Sequence, residues 1–492
     1  MPQMDLELPP DQARRLVLRL LMLGGASLLL YAAVNRVECA YGAYPLQSSG
    51  FALYPAVFAL YFLALRAVWL NRALRLPIRP AAGLALGAAV AFRLAMLAGP
   101  VPDNYDNNRH LWEGRVLRAG INTFRAAPTS PIYDGLRAQL KAEGNPLYEN
   151  MCPPENSPLE RNVADLQRWL TGVRTTYGLV ACAIWAAISF LPVDGVLGLR
   201  IVMTLFDLGT CVLLFMLLRH LGRNPLWAMV YAWNPLTLNS YADRGQCDAA
   251  IAFFVVLAAW LVITRRAAAA GIAFAFAVGV KVSPLLAVLP FIRYGRGRFT
   301  AGFLVALAAV MAPIVAAGRE GITGYVAFAS LWHGNDSIFS LLALGLQPLS
   351  GHLDPSKVAR LIVSGAAVLY ALWRTIRKHP DSPQWLLENV ALILAASALL
   401  SPVLYPWYVC AMLAFLCFSF SSGLVLLTAA MMMWYLNFTY DSLSLPHWLA
   451  ALPTVYFEPW RWLGYIPVYA LLIARRPIGA DKDGGPSGGV AF

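Results

Sequence analysis

Five short polar clusters hold the side chains of this chain that could do chemistry. Asp103, Asp106 and Arg109 open DNYDNNRHLWEGRV directly after an apolar run; Asp243, Arg244 and Asp248 stand in YADRGQCDA between two others; Lys281 interrupts another in GVKVSP. WHGNDSIFS (332–340) and SPVLYPWY (401–408) close two more. A carboxylate so placed can take a proton from a hydroxyl, while lysine and arginine stabilise charge growing on an anionic leaving group. A lipid phosphate as leaving group would put that chemistry at a membrane surface.

Each cluster also has a plainer reading. An aspartate after an apolar run can cap the next helix. Arg244 and Asp248 have the spacing of a local i,i+4 ion pair. Trp112, Trp332 and Trp407 suit an interfacial belt as well as a sugar-stacking surface. Lys281 is the exception, because an ammonium at membrane depth three residues before a proline has little structural purpose.

The elements that must position these residues are membrane helices. Of 492 residues, 59% are hydrophobic and 13% charged. About 20 apolar residues are needed to cross the hydrocarbon, and such runs occur near 14–35, 51–70, 81–99, 196–218, 225–241, 248–264, 299–317, 355–376, 385–404, 406–420, 422–440 and 460–474. Their continuity excludes a barrel of short alternating strands. The expected fold is an all-α polytopic bundle of roughly 12–14 transmembrane helices with interfacial helices beside them.

The net charge of +12 does not point to nucleic acid, because the arginines sit in short loops, among them Arg14, Arg15 and Arg19, Arg72, Arg75 and Arg79, and Arg293, Arg296 and Arg298. By the positive-inside rule those loops are cytoplasmic, and the polar insertion from about 100 to 172 lies outside. All five clusters then face outward, which predicts one shared site. The stretch 173–191 would break the charge pattern as a full span and reads as interfacial or re-entrant, while 267–292, with arginines at both ends, reads as a hairpin of two short helices with Lys281 near its outer end. VADLQRWLTGVR reads as a surface amphipathic helix and the glycine-rich tail as disordered.

No cleavage site follows the first apolar run, which reads as an anchor. Cys182, Cys211, Cys410 and Cys417 read as packing residues, and Cys39, Cys152 and Cys247 fall on the expected outer side. His220 and His379 read as solvated, whereas His110 and His333 face the site; no Cys or His spacing supports a metal.

The motifs resemble those of bacterial GT-C-type glycosyltransferases. DNNRHLWEGRVLRAGINTF resembles the first-loop motif of that class, YAWNPLTLNSYADRGQCDA its Trp-Asn-Pro-Leu segment, AVGVKVSPLLAVLP its lysine hairpin, and NDSIFSLL and SPVLYPWYV two further segments, together covering about 81–440. The resemblance implies an inverting transferase of the bacterial inner membrane that moves one hexose, commonly mannose, from a polyprenyl-phosphate-linked donor to a lipid, glycan or protein acceptor on the periplasmic side. It implies no cofactor, no metal and no nucleic-acid partner. It makes Asp106 the general base with Arg109 as partner and Asp103 beside it, and it puts Lys281 and Arg244 at the donor phosphate. The sugar and acceptor would meet His110, Trp112, Glu113, Asp248, Gln246, His333, Asn335, Asp336, Tyr405 and Trp407. Departures from the family pattern fall at Thr123, Ser240, Gln246, Cys247, Val403 and Tyr405, around the sugar and acceptor pocket, and leave the base and phosphate ligands in place.

The implied organisation is a cytoplasmic tail (1–13), two extra N-terminal spans (14–80), the catalytic membrane domain (81–440), an outer loop with the last span (441–476) and a cytoplasmic tail (477–492). Two rival readings are a lipid-linked sugar flippase, which would carry polar groups through the midplane, and a silent assembly subunit with the same fold.

Overall fold

A computed structural model describes residues 10–41, 52–101, 105–151, 172–193, 195–377, 382–435 and 459–474. Asp103, most of VADLQRWLTGVR, the outer loop 441–458 and the last residues of both tails lie outside the described residues. The described part is helical, with one isolated parallel bridge between Gly334 and Val403.

Among the described residues, five helices are long and apolar enough to cross a membrane by length and composition: Asp11–Val37, Ile78–Leu97, Val196–His220, Leu285–Ala316, which is kinked at Arg296, and Pro355–Ile376. A bent pair, Pro235–Asp243 and Asp248–Ile263, makes a sixth, and seven shorter apolar helices of 10–17 residues join them. The expected count of spans is therefore approached only when the short helices are included. One expected span is broken. Over 225–241 the chain forms short pieces, Pro225–Ala228, Met229–Ala232, Pro235–Thr237 and a π-turn from Leu238 to Asp243. The cause is local: Pro235 brings no N–H to continue a helix, and the Asn234 side chain accepts a hydrogen bond from Leu236 N and restarts it. The two halves of the bent pair then meet at 118°, which places Asp243–Asp248 at an elbow.

Leu179–Ile188 has ten residues, too short to cross, and packs on the polar Tyr105–Arg118 helix. Gly114 makes that approach possible, since a Cβ there would lie 2.6 Å from the carbonyl carbon of Trp185. The lysine hairpin forms as two helical segments. Ala267–Val280 rises to Lys281, Leu285 begins the return, and Arg296, with φ 56°, breaks the second helix before it turns back toward Ala316. The described insertion folds around its own small core of Leu111, Trp112, Val116, Tyr133, Leu136 and Leu140.

The N-terminal helices are packed into the bundle. Tyr61 donates to Val230 O at 2.7 Å, and Asn239 donates to the Tyr54 hydroxyl at 3.0 Å. Cys182, Cys211, Cys410 and Cys417 are free and buried, as packing residues should be; Cys247 is free and buried as well, not exposed for pairing.

One feature of the bundle has no counterpart in the polar clusters. Arg93 and Asp207 form a fully buried ion pair at 2.7 Å between Ile78–Leu97 and Val196–His220, and Arg93 Nη1 also donates to Ala232 O at 2.7 Å. Breaking such a pair strands a charge in an apolar interior and costs about 3–5 kcal/mol. Arg93→Ala is therefore expected to lower the unfolding temperature sharply in detergent. Arg93→Met combined with Asp207→Leu should recover most of the loss, and a double variant no better than the single would show that the pair is held for more than charge balance.

Candidate active site

Asp106 stands in the first turn of Tyr105–Arg118, a helix too polar to span. The residue is half-buried, and its carboxyl accepts a hydrogen bond from Gln246, which the elbow after the π-turn delivers. Burial pushes the Asp106 carboxyl above its ordinary range; Lys281 and the Gln246 hydrogen bond pull it down, and Asp248 adds to the rise. Lys281 Nζ lies 3.6 Å from Asp248 Oδ2 and 4.0 Å from the centre of the Tyr408 ring, with the Tyr177 ring 5.5 Å away. The ammonium thus pairs with Asp248 and lies within electrostatic reach of Asp106.

The lysine turn is held from behind by glycine. Gly178 N donates to Val280 O at 3.0 Å, and a Cβ on Gly178 would sit 2.1 Å from Gly279 O. No other residue fits there, so the Gly178 contact presses Tyr177 onto the lysine.

The last two clusters arrive together. Gly334 N donates to Pro402 O and Leu404 N to Gly334 O, at 3.0 and 2.9 Å, which zips WHGNDSIFS to SPVLYPWY. Trp332 hydrogen-bonds Tyr405, and Tyr405 stacks on Trp407 with centroids 5.2 Å apart and lies 5.3 Å from Trp434. Tyr405 and Tyr408 both fall within the field of Asp106 and Lys281. The five clusters therefore converge, and aromatic faces flank the charged groups.

Several expected residues hold this arrangement from behind. Arg109 Nη2 lies 2.7 Å from Glu113 Oε1, and Glu113 also hydrogen-bonds Thr175, so this pair braces the helix; the cation with the largest influence on Asp106 is Lys281. Burial pushes the Glu113 carboxyl up against the pull of Arg109. His110 is buried and stacked on Trp185 at 4.3 Å, with Tyr177 at 4.8 Å; burial, then Lys281 and Arg109, keep its imidazole well below the usual value and neutral. Trp112 is enclosed in the core of the insertion against Tyr133 at 5.7 Å, not presented to a ligand. Asp336 accepts from Ser340 N at 2.8 Å and faces Arg461 at 3.7 Å, which is the capping role. Asn335, with φ 49°, donates to Leu404 O at 2.9 Å, and His333 is exposed beyond it. Arg244 does not follow the i,i+4 spacing: its guanidinium lies 4.3 Å from the Tyr435 ring and 3.9 Å from Asp243, while Asp248 faces Lys281.

Tyr177, Tyr408 and Trp434 were not among the expected site residues. Tyr408 ends a quoted motif, whereas Tyr177 precedes the glycine that touches the hairpin, a signal visible only in three dimensions. Among the described residues, no group of three or more His, Cys, Asp or Glu could hold a metal.

The chain's likeness to known proteins lies in its middle. Residues 176–402, somewhat less than half of the 492, carry the elbow, Lys281 and the start of SPVLYPWY, while the helix of Asp106 precedes them. That stretch matches the model of glycosyltransferase family 87, a family of GT-C-type membrane glycosyltransferases, and over it the chain is similar to that family.

Proposed function

We propose that this protein transfers a single hexose, mannose first among the candidates, from a polyprenyl-phosphate-linked donor to an acceptor hydroxyl on the extracytoplasmic side of a bacterial inner membrane. Asp106 is the base that takes the acceptor proton. Lys281, with Arg244 as the second cation, stabilises the lipid phosphate as it leaves, and Gln246, Asp248, Tyr405 and Trp407 frame the sugar and acceptor. The observation that carries the reading is a carboxylate set in the field of a lysine that a second carboxylate and a tyrosine ring already hold in place.

The balance of the step is simple. The acceptor oxygen forms a bond to the anomeric carbon, the bond from that carbon to the phosphate oxygen breaks, the proton passes to Asp106, and the electron pair leaves on the phosphate, inverting the anomeric centre. The gathering of the five polar clusters at one site supports transfer over transport, which needs polar groups along a path.

The test is incubation of the full-length protein in nanodiscs with a panel of polyprenyl-phosphate sugars and short glycan acceptors, reading released polyprenyl phosphate. Release with one hexose donor, dependent on acceptor, is the expected result. Transbilayer movement of donor without release would replace this reading with the flippase one.

A further inference from the structure

Arg200 lies on Val196–His220, in none of the five clusters, and its side chain is fully buried. Nε donates to Ala242 O at 2.8 Å, Nη2 to Met96 O at 2.7 Å, and Nη1 to Pro100 O at 3.1 Å and Gly99 O at 3.3 Å. Asp243 Oδ1 lies 3.9 Å from Nη2. One guanidinium therefore holds two otherwise separate strips of backbone. Met96 to Pro100 end the span from which the chain passes to Asp106, and Ala242 and Asp243 open the elbow that ends in Gln246 and Asp248. On the other side of the elbow Gly245, with φ 67°, rests on the same residue: a Cβ there would lie 3.4 Å from Arg200 N and 3.2 Å from Leu199 Cγ.

We infer that Arg200 is a positioning residue that fixes the distance between Asp106 and its partners on the elbow. Only arginine suits the place, since its planar fork offers five donors in fixed directions and lysine offers a single point. A buried arginine that merely covered the carbonyls at the end of a span would need no bond to Ala242. The inference rests on the proposed role of Asp106, and both strips matter because a misplacement of about 1 Å at a reacting centre can cost about 10²-fold in rate.

The experiment uses the full chain in nanodiscs, with Cys39 and Cys152 replaced by serine, and compares wild type with Arg200→Lys and Gly245→Ala, which crowds the elbow against the Leu199–Arg200 backbone. Donor turnover gives one readout. Alkylation of Cys247 gives a second that needs no substrate, because this thiol is buried in the elbow next to Asp248. In both variants the expected result is kcat lower by about 10²-fold with KM for the donor changed less than about threefold, and Cys247 alkylated at least about tenfold faster while buried Cys410 and Cys417 stay protected. Unchanged kcat and labelling in a folded Arg200→Lys protein would overturn the inference, as would equal exposure of all buried thiols with a fall in unfolding temperature, which marks general destabilisation. If wild type turns over no donor of the panel, the proposed function fails, and Cys247 labelling alone still decides whether Arg200 holds the elbow.

Discussion

Asp106→Asn is expected to fold, to bind donor, and to transfer sugar about 10²–10⁴-fold more slowly, the usual cost of removing a positioned general base. Asparagine preserves the volume and can still pair with Gln246, so the elbow and the insertion helix have no reason to move. Lys281 keeps Asp248 as its carboxylate partner at 3.6 Å, which retains the phosphate contact. What disappears is the carboxylate that lies in the field of the lysine without being its ion-pair partner. The pH dependence follows with its sign. Burial raises the Asp106 carboxyl above the ordinary carboxylate range despite Lys281 and Gln246, and a base works only when deprotonated. The kcat/KM of wild type should therefore fall on the acid side at a higher pH than a free aspartate would dictate, and the residual rate of Asp106→Asn should lack that limb. Asp103→Asn is the comparison and should be milder. An active Asp106 variant beside a dead Asp103 variant would move the base three residues upstream.

How much of this was legible depends on what each residue does. Ionisable residues at the ends of apolar runs were visible because they are expensive there, and three of them, Asp106, Asp248 and Lys281, converge in space. Their pairing was not visible. Arg109 has Asp106 three residues before it and Glu113 four after, both on its helical face, and only the packing of the helix sets Glu113 at 2.7 Å. Spacing misled at Arg244 and Asp248 for another reason: the helix begins at Asp248, so the residues before it do not share its periodicity.

Charges inside spans were hidden differently. Arg93 sits alone in one long apolar run and Arg200 and Asp207 share another, where one or two charged residues hardly change the hydropathy of twenty. Arg93 and Asp207 settle their cost with one another, and Arg200 with four carbonyls. A single arginine in a membrane helix is in itself a signal that partners exist, but their identity is a property of the packed bundle. Trp112 shows the converse. Its motif suggested a ligand, and the insertion used it to build a core.

Lys281→Ala is expected to lose donor binding while keeping the fold. The ammonium is largely enclosed, with 12% of its side-chain surface open, and hydrogen-bonds Asp248 and Tyr408, which occupies two of its three donors. A phosphate entering there makes a charge-assisted bond with part of the desolvation already met by the protein. Truncating one partner of such a buried pair costs about 2–5 kcal/mol, which corresponds to roughly 30- to several-thousand-fold in Kd for the polyprenyl-phosphate donor. Titration of donor into the nanodisc-embedded variant measures it. Lys281→Arg keeps the charge and should bind far better than Lys281→Ala, although the guanidinium fits the turn less well. The alanine variant carries a second signature. Without the ammonium, the cation that draws the Asp106 carboxyl down is gone and Asp248 remains to push it up, so the acid limb of any residual turnover should move to higher pH. Donor affinity equal to wild type with an unmoved acid limb would make Lys281 a snorkelling residue that only anchors the hairpin turn.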